Sequence, residues 1–99
     1  MTIELEHLGR GRFLLYGRAD VSNVGRLLAE GREQFVGLDD ISVDLERADC
    51  ENTAGLALLI EWSTWCRSAG IKLKYRRPPE DLLEIVRIND VEEILSFAN

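Results

Sequence analysis

Polar and apolar residues alternate at the start of the chain, with Ile3 and Leu5 on one side and Thr2, Glu4 and Glu6 on the other. A period of two predicts a half-buried strand. Gly9-Arg10-Gly11 reads as a turn. "RFLLYG" follows as a second strand, apolar on both faces and therefore more interior, in an antiparallel hairpin with the first. The spacing then changes. In "DVSNVGRLLAEGREQFV", Val21, Val24, Leu28, Gly31 and Phe35 recur at three and four, which is one face of a helix. Asp20 and Ser22 are its candidate caps, and Gly37 ends it. Gly25 and Gly31 each cost a helix about 1 kcal/mol relative to alanine, so close packing is expected to explain them.

Alternation returns in "ISVDLE", with Ile41, Val43 and Leu45 against Ser42, Asp44 and Glu46. The stretch "CENTAGLALLIEW" opens polar and small and becomes almost wholly apolar, predicting a second helix from about Ala54 to Ala69, stopped by Gly70. "IKLKYR" is a further strand, with Ile71, Leu73 and Tyr75 inward. Pro78-Pro79 followed by Glu80 and Asp81 starts a third helix, carried to Asn89 by Leu82, Leu83, Ile85 and Val86. "VEEILSF" fits either a last short strand or a helical turn. The order is β-β-α-β-α-β-α plus a tail. Right-handed crossovers between parallel strands, each added beside the last, put every helix on one face. The expected fold is a two-layer α/β domain over residues 1–99, a mixed, mostly parallel sheet of four to five strands with water on its other face.

The second helix is apolar on two sides. Leu56, Leu59, Ile60 and Ser63 make the expected core face, while Leu58, Trp62, Trp65 and Ala69 form another stripe. That stripe packs either under neighbouring helices or against a partner, where tryptophan is enriched among the residues that dominate binding. At the start of the helix, the side chain of Asn52 or Thr53 can accept from a free amide, a cap worth about 1 kcal/mol. A helix N-terminus also favours added negative charge, so a hydroxyl there is well placed for phosphorylation. Residue types alone do not choose between cap and switch.

Composition narrows the chemistry. Eighteen acidic residues against twelve basic leave a net charge of -6, which argues against a general nucleic-acid binder. No phosphate-binding or dinucleotide glycine motif is present, and one histidine, His7, stands without a placed nucleophile. The protein is therefore expected not to be an enzyme and to need no cofactor. Cys50 and Cys66 fit no metal-ligand spacing and read as small buried thiols. Lys72, Lys74, Arg76 and Arg77 are expected to pair across strands with Asp44 and Glu46 rather than to bind an anion. The N-terminus has no signal-peptide pattern and no apolar stretch spans a bilayer, so a cytoplasmic protein is expected.

Two motifs in this order resemble the STAS domain family, named for sulfate transporters and anti-sigma factor antagonists. "GRAD", residues 17–20, matches the family's G-x-x-D at the end of the second strand, and "NTAGLALL" resembles its D-S/T-x-G-L strand-to-helix turn. Within the family, "TAGLALL" and the short C-terminal element are most similar to the MlaB branch, the free-standing STAS subunits of Mla phospholipid ABC transporters. The resemblance implies a non-catalytic cytoplasmic subunit that binds and supports the transporter's ATPase, in a complex at the inner membrane that maintains outer-membrane lipid asymmetry. It implies a partner site around Asn52, Thr53 and Ala54, with Asp20 and part of the Leu58, Trp62 and Trp65 stripe. The alternative it implies is an anti-sigma factor antagonist, phosphorylated at Thr53 by a partner kinase. The usual aspartate opening the turn is Asn52 here, which suits the transporter reading better than the kinase one.

Overall fold

Strand formation follows the alternation, and the computed structural model, which describes residues 2–98, carries it into one sheet. The strands lie in sequence order: β1 (Ile3–Gly9), β2 (Arg12–Arg18), β3 (Asp40–Asp49), β4 (Lys72–Arg76) and β5 (Phe97–Ala98). β1 and β2 pair antiparallel; every later pair is parallel. The connections carry α1 (Val24–Phe35), α2 (Thr53–Ser68) and α3 (Glu80–Ile88). Inward residues of the sheet, among them Ile3, Phe13, Leu15, Val43 and Tyr75, share one core with Leu27 and Phe35 of α1, Leu59 and Trp62 of α2, and Leu82 and Val86 of α3. The other face carries Glu6, Ser42, Glu46, Lys72 and Lys74, exposed or half-buried. The expected two-layer α/β arrangement is present.

The two-sided apolarity of α2 has a plain cause. One side lies on the sheet, where the buried Tyr75 hydroxyl donates to the Leu59 carbonyl at 2.7 Å. The other lies against α1, where Trp62 is fully buried and its indole N–H donates to the Leu28 carbonyl at 3.4 Å. Trp62 meets Phe35 edge-on at 5.5 Å, and Phe35 meets Phe13 edge-on at 5.1 Å. This aromatic chain joins α2 to the sheet through α1. Leu58, at 2% exposure, is core as well. The stripe expected at a partner surface therefore packs inside the fold at Leu58 and Trp62; Trp65 is half-buried and Ala69 exposed.

The first helix departs from its sequence pattern. Val21 is 89% exposed and precedes α1, and the buried positions are Leu27, Gly31 and Phe35, with Val24 and Leu28 only partly covered. Leu27 escapes a pattern anchored on Val21 because the true face is turned by one residue. Neither Asp20 nor Ser22 caps the helix with its side chain: the Asp20 backbone carbonyl accepts from Val24, and the Asp20 carboxylate accepts from Ser22. Of the two glycines, only Gly31 is explained by packing. A β-carbon there would collide with the Trp62 indole, whereas one at Gly25 meets nothing within 4 Å.

The tail combines both expected forms. Ile94 and Leu95 amides return to the Val91 carbonyl in a turn, and β5 then pairs with Tyr75 and Arg76. On the outer face the ion pairs to Asp44 and Glu46 come from Arg77, at 2.5 and 3.2 Å, rather than from the alternating cations of β4.

The glycines give a contrast to measure. Gly31→Ala is expected to lower stability by about 1–3 kcal/mol in chemical denaturation, because the Trp62 ring has no room to retreat. Gly25→Ala should leave stability unchanged or raise it by up to about 1 kcal/mol.

Candidate functional site

Strict alternation in β3 ends after Leu45. A bulge sets Leu14 opposite Asp44 but Tyr16 opposite Arg47, so the chain gains one residue against β2. Ala48 and Cys50 thereby turn inward, while Glu46 and Arg47 stay exposed. Beyond Cys50 the chain leaves the carboxyl end of the sheet, and Asn52 adopts an extended backbone, φ -155° and ψ 171°. Its side chain then makes two bonds. Oδ1 accepts from the Gly55 amide at 2.8 Å, capping α2, and Nδ2 donates to the Ala19 carbonyl at 2.9 Å. One neutral amide thus starts a helix and fastens the end of β2 beside it.

A second asparagine completes the brace. Asn23 donates to the Arg18 carbonyl and accepts from the Asp20 amide, both at 2.9 Å. The Ala19 amide donates to the Asp49 carbonyl at 2.9 Å. Residues 18–20 are held from both sides, and Asp20 is fixed close to the start of α2. Gly55 has a steric duty here, since a β-carbon would lie 2.5 Å from Cys50 Cα. The first turn of α2 rests on the backbone of the preceding strand.

Thr53 is the first residue of α2 and is exposed. Of the two candidate caps the structure uses Asn52, so the Thr53 side chain is not what holds the helix start. Ala54 is half-buried beside it. Thus Asn52, Thr53, Ala54 and Asp20 come together at one end of the fold. Leu58 and Trp62 belong to the core beneath, and Trp65 lies three turns further along α2.

The surroundings of Thr53 are acidic. Burial pushes the Glu51 carboxyl up from its ordinary pKa, and the negative charges of Asp81 and Asp49 push it the same way. Asp20 moves the opposite way, held below its ordinary 3.8 by the hydroxyl and amide of Ser22. A lowered carboxylate stabilises the fold above 3.8, and that contribution is lost as pH falls through its folded value. Arg18 offers one cation, 3.5 Å from Asp49.

Elsewhere the chemistry is quiet. Burial raises the Cys50 thiol to about 12, with Asp49 and Glu51 adding to the effect, and raises Cys66 to about 11. Neither forms appreciable thiolate at neutral pH. His7 is exposed on β1 and stacks on Phe13 at 4.3 Å. Among the described residues no three His, Cys, Asp or Glu side chains are grouped to hold a metal ion, and no helix is long and apolar enough to cross a membrane. Sequence reasoning missed Asn23. Its signal was a short polar run, "DVSN", between a strand and a helix, where asparagine commonly bonds to nearby backbone.

The sequence matches no family model and no curated protein. Solved structures do resemble it. The anti-sigma factor antagonist SpoIIAA in its unphosphorylated form superposes with a TM-score of 0.69 at 15% identity, covering 99% of this chain and 89% of that one. The Bacillus cell fate determinant SpoIIAA in the phosphorylated form gives 0.69 at 14% identity, with 99% and 92% covered. The protein TM1081 gives 0.68 at 13% identity, with 100% and 82% covered. The fold is the STAS fold. At these identities the likeness speaks for the architecture, five strands and three helices in the order above.

The double duty of Asn52 sets a test. Asn52→Asp keeps a cap acceptor but removes the donor to Ala19, so a loss of about 1–3 kcal/mol is expected. Thr53→Ala should change stability by less than about 0.5 kcal/mol. Denaturant unfolding of both variants checks this, and the reverse order would return the cap to Thr53.

Proposed function

We propose that this STAS-fold domain is a non-catalytic binding module that docks a partner protein across the Thr53 end. The observation that carries this reading is an exposed hydroxyl at the start of a helix whose own cap is already supplied by Asn52. Thr53 is not needed to hold its own helix. Its neighbours Asn52 and Asp20 are pinned by side-chain amides, which presents a rigid surface and lowers the ordering cost of binding.

Two partner classes fit, each with its own support. The fold likeness to SpoIIAA, solved in unphosphorylated and phosphorylated forms, supports an anti-sigma factor antagonist with a kinase partner. The comparisons favour this class. The chemistry of the turn supports the other, the ATPase subunit of a Mla-type phospholipid ABC transporter. Asn52 is neutral and committed to Ala19 and Gly55, and a phosphate on Thr53 would stand among Glu51, Asp49 and Asp20, with Arg18 already 3.5 Å from Asp49. A site of that charge suits a partner that reads shape and a hydroxyl better than one that installs a dianion.

The experiment is binding of Thr53→Glu to both purified partners, a Mla-type ATPase and an anti-sigma kinase, beside its thermal unfolding. A carboxylate near a helix N-terminus is tolerated in the free domain. Buried against a partner, it should weaken binding at least tenfold while the Tm stays within a few degrees. Phosphate transfer from ATP to wild-type Thr53 by the kinase would decide for the antagonist class. Normal binding of the folded variant to whichever partner takes the wild type would remove Thr53 from the interface.

A further inference from the structure

Gly25 has no internal reason to be glycine. It is the second residue of α1, is exposed, and a β-carbon built on it meets nothing within 4 Å. Alanine there would favour the helix. The place is not featureless, however. Val24, Gly25 and Leu28 of α1 face Ala57, Leu58 and Glu61 of α2 across a shallow groove with a cavity volume of about 100 Å³. Apart from Glu61 its lining is apolar.

The groove continues the Thr53 end. Ala57 lies one turn below Thr53 on α2, and Val24 donates its amide to the Asp20 carbonyl. Val21, the most exposed large apolar side chain among the described residues, stands at the same corner. One charged group, Glu61, stands in the groove wall. Arg32 reaches Glu61 only at 3.9 Å, leaving that carboxylate 56% exposed.

We propose that the α1–α2 groove receives one apolar side chain from a partner helix whose flanking residues are lysine or arginine, with the helix backbone passing close over Gly25. The assignment rests on the partner-binding reading above and names the chemistry of the partner segment. An apolar side chain fills the groove between Leu28 and Ala57, the absent β-carbon of Gly25 allows close approach, and a basic flank answers Glu61 in the groove wall.

The test measures binding to the same two purified partners, the Mla-type ATPase and the anti-sigma kinase. Gly25→Leu puts a side chain into the groove from a position where a β-carbon meets nothing within 4 Å, so it should stay folded and bind at least tenfold more weakly. Ala57→Leu fills the opposite wall and serves if Gly25→Leu unfolds. Glu61→Lys should weaken binding, and raised salt should weaken wild-type binding more than it weakens binding by Glu61→Lys. If folded Gly25→Leu and Ala57→Leu bind within twofold of wild type while Thr53→Glu does not, the groove is overturned and the Thr53 interface stands. If neither partner binds the wild type, the groove falls together with the reading on which it rests.

Discussion

The side chain of Asn52 joins two backbones that no ladder connects at that point. Its oxygen completes the first turn of α2, and its nitrogen holds the carbonyl of Ala19 at the end of β2. Both ends of one planar amide are used, so the direction of α2 and the path of residues 18–20 are set together. An aspartate provides the first bond and repels the second carbonyl, and a threonine or serine hydroxyl is too short to span both. A neutral amide at position 52 therefore has a structural cause, and it leaves no charge of its own beside Thr53.

A second constraint works from below. Trp62 fills the space between α2 and α1, and Gly31 is the residue whose missing β-carbon makes room for it. Burying an indole this size is worth several kcal/mol in large-to-small comparisons, so α1 and α2 behave as one packed layer. Asn23 sits just before α1 and Asn52 just before α2, so a layer that is rigid through Trp62 also carries two rigid starts. The exposed surface between those starts is held by the same packing and bonds.

Much of the architecture was legible because its cause is local. Period-two alternation marked β1, β3 and β4, and proline followed by acids marked α3. The order of elements, with right-handed crossovers, implied helices on one face. What stayed hidden depends on relations between distant residues. The β3 bulge appears in sequence only as Leu45, Ala48 and Cys50 at spacings of three and two. Which side of α2 met α1 was open, since both sides are apolar, and the answer turned on a glycine in another helix. Leu27 was hidden because Val21, a good anchor by spacing, lies outside the helix. The site was half legible: "NTAG" marked the turn, but choosing Asn52 over Thr53 as the cap needed backbone angles and the position of Ala19.

Freeing Thr53 from the cap changes what its presence means. Were it the cap, its hydroxyl would be committed to an amide and serine, asparagine or aspartate could replace it. With Asn52 in that role, Thr53 is an exposed residue outside the core. An exposed residue on a braced turn, beside an apolar groove with an unexplained glycine, is the combination on which the proposed docking rests. Negative charge added at Thr53 joins Glu51, Asp49 and Asp20, and Arg18, 3.5 Å from Asp49, is already engaged there.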